Sequence, residues 1–434
     1  MSENRPRTEA VHREPLSDAD TSLKPGTVIV QKYGGSSLSN PVMIRQVAER
    51  LVLLQQSGAH LVIVVSAMGD TTDELFAMAN EMAGEGSSPD PRELDSLLST
   101  GELVTATLMA IAVRSIGGQV VSLSGIQAGI RTDDVHGSAR ISGIDVERLR
   151  KELNAQRIVI VAGFQGLSKT QDVTTLGRGG SDTTAVALAA ALGALRCEIY
   201  TDVDGIYTAD PRMVPGARRL PEINYEEMLE MAVLGAKMNP RSIELAALYG
   251  VPVVVASTFG EKPGTLIYSG ASPMEIRRRI TAVVAEKPIA KITVRGVRDR
   301  PGVAAGLFEP LAASGISVDV IVQNAGEHGA TDMSFTVSQG QAQRAIEITQ
   351  NSSPAEGSEL VAGLNFAKVS IVGTGMQNTP GYAARMFKTL ADAGVNIEMI
   401  STSEVRITCI VDAGMAEDAV RALHTAFDLD KYDN

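Results

Sequence analysis

The sequence contains no tryptophan, only two cysteines among its 434 residues, and no long apolar run. Cys197 and Cys409 lie in apolar, strand-like segments, so we interpret them as small buried hydrophobic residues rather than metal or redox groups. The longest apolar stretches, such as residues 61–65 and 158–162, have the length of strands, whereas a membrane helix needs about 20 apolar residues. We therefore predict a cytoplasmic protein with no disulfide framework and no membrane association.

Positive charge is also scarce, because 39 lysines and arginines stand against 51 aspartates and glutamates, for a net charge of −12. A nucleic-acid partner, which needs a basic face, is not expected. Any phosphate-binding site must therefore carry its own local cations. Residues 1–26 are polar and charged and lack the apolar core of a signal peptide, so we predict that they form a disordered leader.

Apolar runs rich in β-branched residues alternate with longer helical patterns between residues 27 and 268. Continuous apolar strands separated by helices are typical of a parallel sheet that is covered on both faces. We therefore predict a three-layer α/β domain with a mainly parallel sheet. The predicted strands are residues 27–31, 61–65, 119–123, 158–162, 198–201 and 251–256, and the predicted helices are residues 41–56, 92–115, 183–192 and 241–249.

The C-terminal part of the chain contains an internal repeat. Residues 291–296 lead to a Pro-Gly pair, a helical pattern and residues 315–320, and residues 368–373 lead to a second Pro-Gly pair and residues 394–399 in the same way. The Pro-Gly pair is equally far from the next glycine in both copies. Each copy continues with a further strand and helix, which predicts two ferredoxin-like βαββαβ units.

A glycine turn with a lysine, Lys32-Tyr-Gly-Gly-Ser-Ser, follows the first predicted strand. Gly34 and Gly35 let backbone N–H groups turn toward an anion, and Lys32 adds a positive charge for phosphoryl oxygens. The motif differs from the GxxxxGK[ST] and GxGxxG loops. Taken alone, it is equally compatible with a plain tight turn.

A second glycine-rich segment, residues 176–184, surrounds Arg178 and enters an alanine-rich helix. A guanidinium group among glycines suits a substrate carboxylate, because it can donate two parallel hydrogen bonds. Ser181 and Asp182 can cap the helix that follows, and capping is the simpler interpretation of both residues.

Two other segments carry acidic residues, one at the end of a predicted strand and one that precedes or opens a helix. Asp202 stands at the carboxyl end of a buried strand, where open α/β sheets bind ligands, and it can orient a lysine or the shell of Mg²⁺. Asp204 and Asp210 precede Gly and Pro, so they are as compatible with turns as with a functional role. Glu102, in the sequence Ser-Thr-Gly-Glu, can pair with a substrate ammonium group or simply complement a helix dipole.

These motifs together resemble those of aspartate kinases. The segments KYGGSS, VVSAMGDTTDEL, STGE, VAGFQG, TTLGRGGSDTTA and YTDVDGIYTADPR occur in the order of that family, followed by the paired repeats. The resemblance covers the chain after Gly26 and is greatest to the actinobacterial single-function type. It implies the amino-acid kinase fold followed by two ACT domains. The implied boundaries are residues 27–268 for the kinase domain, 269–286 for a linker, and 287–362 and 363–434 for the ACT domains.

The resemblance also implies a reaction, in which ATP with Mg²⁺ phosphorylates the β-carboxylate of L-aspartate to give 4-phospho-L-aspartate. This is the first step toward lysine, threonine and methionine. Lys32 and Asp202 would be catalytic, and no residue is assigned as a dedicated metal ligand. The implied substrate contacts are Ser66, Thr72, Glu102, Arg178 and Ser181. The implied ATP contacts are Lys32, Tyr33, Gly34, Gly35, Tyr200, Thr201, Ile206, Tyr207, Thr208, Ala209, Asp210, Pro211, Arg212 and Lys237.

ACT domains imply feedback control by lysine, threonine or both, and association of the chain through paired domains. Met274 lies where some relatives begin a separate regulatory subunit by internal initiation. The implied effector contacts are Asp299, Ala304, Ser317, Val318, Asp319 and Gln323 in the first repeat, and Asn378, Tyr382, Asn396 and Ile397 in the second.

The chain departs from the family pattern at residues 235–242, Gly-Ala-Lys-Met-Asn-Pro-Arg-Ser, which are one residue shorter and lack a histidine. Lys237 is present, but its reach is left open by this departure.

Two alternative functions also stay open. A glutamate or acetylglutamate kinase of the same fold would share the glycine turn but would not predict the paired repeats. A non-catalytic amino-acid sensor would keep the repeats and could lose the charges of Lys32, Glu102, Arg178 and Asp202.

Overall fold

The computed structural model describes residues 24–84, 86–270, 280–324, 329–374, 376 and 380–431. Residue contacts divide the chain into two compact units. The first contains the described residues up to Asp202 with residues 245–261 and 268–270. The second contains residues 203–244 and 262–267 and the described residues from 280 onward. Residues 203–244, which were predicted to lie within the kinase domain, thus pack with the repeats.

The first unit is built on a parallel sheet. The order of its strands is β11-β9-β1-β2-β6-β3, and the pairs β1–β2, β1–β9, β2–β6, β3–β6 and β9–β11 are all parallel. The strands are β1 (Val28–Tyr33), β2 (His60–Val65), β3 (Val120–Leu123), β6 (Ile158–Ala162), β9 (Arg196–Thr201) and β11 (Val253–Ser257).

Helices cover both faces of this sheet, which confirms the predicted three layers. The helices α1 and α3 bury Leu51 and Met109 against Ile63 and Ile160 on one face, while α5 packs on β1, β2 and β9 from the other face. The helices of this unit are α1 (Pro41–Gln56), α2 (Thr71–Ala83), α3 (Pro91–Ser115), α4 (Glu147–Asn154) and α5 (Gly180–Leu192).

The starts of two of these helices follow from local sequence. Asn40 accepts hydrogen bonds from the backbone N–H groups of Val42 and Met43, and Asp90 does the same for Arg92 and Glu93. In each case the next residue is proline, whose missing N–H is harmless in the first turn. The predicted helix 41–56 therefore matches α1, and the predicted helix 92–115 matches α3 to within one residue.

Helix α3 is long and apolar enough to cross a membrane by length and composition alone. Half of its apolar window is nevertheless buried inside the protein, as in the core helix of a globular domain. Helix α3 was predicted as residues 92–115, but its apolar window was not, because polar residues such as Glu102 interrupt the apolar run. A smaller sheet in the same unit also escaped prediction; its order is β5-β4-β7-β8, from β4 (Ile130–Thr132), β5 (Ile141–Ile144), β7 (Gln165–Leu167) and β8 (Val173–Thr175).

In the second unit, β10 (Glu222–Asn224) neighbours β12 (Thr265–Tyr268), and α6 (Tyr225–Val233) follows β10. Helix α7 (Pro240–Tyr249) lies between α6 and β11 in the sequence.

The repeats form one six-stranded antiparallel sheet of order β14-β15-β13-β16-β18-β17. Its strands are β13 (Ala282–Arg298), β14 (Ile321–Gln323), β15 (Ala330–Ser338), β16 (Glu359–Val372), β17 (Met399–Thr402) and β18 (Arg406–Asp412). The helices are α8 (Val303–Ala313), α9 (Ala342–Gln350), α10 (Tyr382–Asp392) and α11 (Ala416–Ala426).

Strands β13 and β16 are each shared between the two repeats. The first repeat has the predicted βαββαβ order and ends in the first half of β16. The second repeat begins in the second half of β16, but the described chain after α11, as far as Lys431, contains no strand. Residues 282–286 of β13 pair with residues 368–372 and take the place of that missing strand. The predicted order is therefore wrong for the last strand of the second repeat, and the predicted linker 269–286 ends in strand.

Candidate active site

The predicted site residues of the first unit gather at one edge of the parallel sheet. Lys32 and the glycine turn come at the end of β1, Ser66 directly follows β2, and Asp202 directly follows β9. Because parallel strands present their carboxyl ends at the same edge, the fold brings these groups together.

The turn after β1 requires glycine. A Cβ atom on Gly35 would lie 2.7 Å from the carbonyl oxygen of Ala67 and 2.9 Å from that of Gly69. The N–H of Gly34 donates to the carbonyl oxygen of Tyr200 at 3.2 Å, which fixes the turn against β9. A short 3₁₀ helix, Gly35–Leu38, follows, so the turn ends in a helix start as predicted for an anion site.

Lys32 forms an ion pair with Asp182 across the unit. Its Nζ atom lies 2.7 Å from Oδ1 of Asp182, and both side chains are largely buried. Helix α5 begins after Gly179, which has a φ of 73°, and no side chain caps it. The predicted capping by Ser181 and Asp182 is therefore wrong, and Asp182 instead orients the lysine. An acidic residue in the first turn of a helix was the only local signal of this pairing.

Glu102 on α3 is a buried carboxylate, one oxygen of which lacks a hydrogen-bond partner among the described residues. It is 3% exposed, and its Oε1 accepts a hydrogen bond from the N–H of Ala67 at 3.3 Å. Its Oε2 is buried and has no hydrogen-bond partner in the described protein. Burial raises the pKa of this carboxyl group to about 7. A cationic ligand is a group that would satisfy the second oxygen of a carboxylate in this position.

Arg178 and Ser181 stand at the start of α5, on either side of Gly179 and Gly180. The side chain of Arg178 is exposed, and Ser181 is buried. A Cβ atom on Gly163 would lie 2.9 Å from Oγ of Ser181, so glycine after β6 lets α5 approach this strand end. Thr72, in the first turn of α2, is half-buried.

Tyr33 and Tyr200 were predicted to contact ATP, but both side chains lie in the core. Their rings are stacked with centroids 5.0 Å apart. The Tyr33 hydroxyl donates to Gln31 and the Tyr200 hydroxyl donates to Glu198, at 3.1 and 3.0 Å. Burial raises the pKa of both phenols. Only backbone groups of these two residues can face a ligand. Thr201 donates to the exposed carboxylate of Asp202 at 3.0 Å.

The predicted nucleotide segment 206–212 belongs to the second unit, where part of it packs on the second repeat. Ala209 is buried in the core that α10, α11 and β16 form, and Thr208 lies 2.9 Å from Nε2 of His424 on α11. Ile206 is also buried, whereas Pro211 and Arg212 are exposed and Tyr207 and Asp210 are half-buried. Lys237 is exposed and lies between α6 and α7.

The predicted effector residues lie in two loop regions related by the repeat. Helices α8 and α10 both begin after a glycine with positive φ, Gly302 and Gly381. Most of the first set is exposed, with Val318 half-buried, and Asn396 is exposed beside half-buried Ile397 and Tyr382. Asn378 lies outside the described residues.

Two lysines of the six-stranded sheet each pair with an acid of the other repeat. Lys368, nearly buried, contacts Asp319 and lies 2.8 Å from Glu286. Lys291 lies 3.2 Å from Glu398. Lys291 and Lys368 occupy the same position in the two repeats, as do Asp319 and Glu398. The predicted effector residue Asp319 therefore already has a cationic partner within the chain.

Comparisons with known proteins agree with these features. The model of the amino acid kinase family matches residues 27–257, and that of an ACT domain matches residues 292–352 and 369–427. The chain is 48% identical to the aspartokinase of Pseudomonas aeruginosa over 93% of its length and 98% of that protein. It is 46% identical to that of the actinobacterium Corynebacterium glutamicum over 93% of its length and 96% of that protein.

A solved structure resembles the whole fold. E. coli aspartokinase III in complex with aspartate and ADP is 26% identical and superimposes with a TM-score of 0.75, over 92% of this chain and 99% of that one. The sequence similarity to these aspartokinases extends over the kinase region and both repeats. The chain therefore belongs to the aspartokinase family.

Proposed function

We propose that this protein transfers the γ-phosphate of ATP to the β-carboxylate of L-aspartate. The observation that carries the proposal is the buried, incompletely hydrogen-bonded carboxylate of Glu102, close to the strand ends that bear Lys32 and Ser66. A buried acid whose second oxygen lacks a partner suits a substrate ammonium group. Membership of the aspartokinase family supports aspartate as that substrate.

Selective phosphorylation requires that the α-groups of aspartate be held while the β-carboxylate stays accessible. Glu102 would bind the ammonium group, and Arg178 with Ser181 would bind the α-carboxylate. Ser66 and Thr72 would line the remaining side of the pocket. The β-carboxylate is ionised at neutral pH, so the reaction needs alignment and charge compensation rather than a general base.

Lys32 would compensate the charge of the transferring group, with the N–H group of Gly35 in the turn as a further donor. The pairing of Lys32 with Asp182 supports this role, because it fixes a flexible side chain in one orientation. The described residues contain no group of three or more His, Cys, Asp or Glu side chains that could hold a metal. Kinases commonly bind Mg²⁺ through ATP phosphates and one or two carboxylates. Asp202 would supply such a carboxylate, and Mg²⁺ would offset phosphate charge.

The nucleotide wall at Ile206 to Arg212, and Lys237, remain part of the proposal by family resemblance. Since Ile206, Thr208 and Ala209 are buried within their own unit, their contribution to nucleotide binding would come from backbone groups.

Two free, buried cysteines agree with a cytoplasmic location.

We also propose that lysine, threonine or both inhibit the enzyme at the ACT repeats and that the chain associates through them. A crystal structure of E. coli aspartokinase III contains lysine and aspartate, in a form that is similar to this chain with a TM-score of 0.73. A regulatory subunit that starts at Met274 would retain residues 282–286, which complete the second repeat.

The test is an ATP- and Mg²⁺-dependent hydroxamate assay with L-aspartate, alone and with lysine, threonine or both. Formation of aspartyl hydroxamate that either amino acid suppresses is the expected result. Glutamate and acetylglutamate serve as control acceptors and should give no product. Absence of activity in folded protein with saturating Mg²⁺ would contradict the proposal and favour a sensor without catalysis.

A further inference from the structure

Asp95 on α3 is another buried carboxylate of the first unit, and it is not among the residues assigned to the proposed substrate and ATP sites. It is 1% exposed. Its two oxygens accept from the N–H of Gly137 at 3.1 and 3.0 Å, and Oδ1 also accepts from the hydroxyl of Thr175. Oδ2 lies 2.9 Å from Nδ1 of His136. One side chain thus joins α3 to the β4–β5 loop and to the last residue of β8.

The segments that meet at Asp95 lead directly to the proposed substrate ligands. Glu102 follows seven residues later on α3, two turns along the same face. Arg178 follows Thr175 by three residues. The β4–β5 loop also touches this segment, because the carbonyl oxygen of Gly137 would lie 3.1 Å from a Cβ atom on Gly177.

The distance between Glu102 and the segment that follows β8, which carries Arg178, therefore depends on the hydrogen bonds that hold α3 to β8. A neutral hydrogen bond from the side-chain amide of Gln165 to the carbonyl oxygen of Ser99, at 2.8 Å, also holds α3 to β7, the strand that pairs with β8. Hydrogen bonds to a buried carboxylate are stronger than neutral ones, and they constrain position more tightly. A ligand with an ammonium group and a carboxylate on one carbon atom needs that separation to be set to within a fraction of an ångström.

We propose that Asp95 is a positioning residue that sets the distance between Glu102 and the Arg178 segment, and so selects the α-amino acid end of the substrate. This inference rests on the proposed roles of Glu102 and Arg178. Asp95 itself contacts no substrate. Its effect is confined to the binding of the amino acid and does not extend to ATP.

The experiment compares Asp95→Asn and Thr175→Val with wild type in the hydroxamate assay. Asp95→Asn should raise KM for L-aspartate about tenfold or more, with KM for ATP within about twofold, since it removes charge-assisted bonds. It should also lower the preference in kcat/KM for L- over D-aspartate. Thr175→Val removes one donor without changing shape and should give a smaller rise. In the double variant the two rises in KM should combine to less than their product, because both changes weaken the same contact.

Asp90→Asn is the matched control, because it removes one negative charge from the same helix and asparagine remains a good cap. It should behave as wild type. An unchanged KM for L-aspartate in both test variants, or a parallel rise in both KM values, would overturn the inference. If Asp95→Asn does not fold, Thr175→Val decides alone. Glu102→Gln separates the two proposals. A normal KM for aspartate in that variant contradicts the proposed substrate site itself. A raised KM in that variant, with a normal KM in every folded test variant of Asp95 and Thr175, contradicts only the role of Asp95.

Discussion

Replacing Glu102 by glutamine should make the protein less active and more stable at alkaline pH. Burial raises the pKa of this carboxyl group from 4.5 to about 7. Each unit of pKa corresponds to about 1.4 kcal/mol, so keeping Glu102 ionised costs the folded protein about 3 kcal/mol well above pH 7. Glutamine has the same shape and carries no charge, so the variant avoids this cost.

The sign and pH range follow from the two pKa values. Between pH 4.5 and 7 the unfolded chain has lost the proton that the folded protein still holds, so wild-type stability falls as pH rises through this range. The advantage of the glutamine variant should be about 3 kcal/mol at pH 8.5 and about 1 kcal/mol at pH 5.5. Any constant cost of burying the amide cancels between the two measurements, which leaves a difference of about 2 kcal/mol.

Urea unfolding followed by far-UV circular dichroism measures this difference, since the chain has no tryptophan for fluorescence. Glu93→Gln, an exposed change on the same helix, is the control and should show no comparable pH dependence. In the kinase assay Glu102→Gln should raise KM for aspartate about 30- to 100-fold. In the wild type, kcat/KM for aspartate should decrease as the pH is lowered below about 7. In the variant, this decrease on the acid side of the pH profile should be absent. A stability difference that is the same at pH 5.5 and 8.5 would refute the reasoning.

Three further changes are predicted. Lys32→Ala should lower kcat at least about 100-fold, the scale of one lost electrostatic stabiliser, in steady-state assays with saturating substrates; near-normal turnover would contradict its role. Gly35→Ala should raise KM for ATP more than KM for aspartate, because its Cβ atom would lie 2.7 Å from the oxygen of Ala67; equal effects on both constants would argue for general misfolding. Lys368→Met should weaken inhibition by the effector without lowering uninhibited kcat, because it leaves Asp319 without its cation; unchanged inhibition curves would exclude this link.

The sequence was sufficient to predict the regular parts of the kinase unit. The strand 158–162 and the helix 41–56 have the predicted bounds, because continuous apolar residues and the Asn40-Pro41 start are local signals. The sheet of β4, β5, β7 and β8 was not predicted, since strands of three or four residues are too short to show a period. The glycine turn and Glu102 were predicted as site residues from local signals as well: adjacent glycines that permit an unusual backbone, and an acidic residue next to a glycine.

Other features depend on partners far away in the chain. Asp182 pairs with Lys32 across 150 residues, so its first-turn position alone indicated only a cap. The side chains of Tyr33 and Tyr200 are adjacent to site residues in sequence but point into the core, because successive residues of a strand face opposite sides. Asp95 was overlooked for the same reason as Asp182, since its partners come from two segments that fold back onto α3.

The strand that completes the second repeat imposes an order on biosynthesis. Residues 282–286 leave the ribosome before the entire first repeat. Ala282 cannot pair with its partner Val372 until Val372 has been synthesised. At about 5–20 residues per second this delay lasts roughly 5–18 s. During that time the waiting segment has an unpaired edge, which other nascent chains could join.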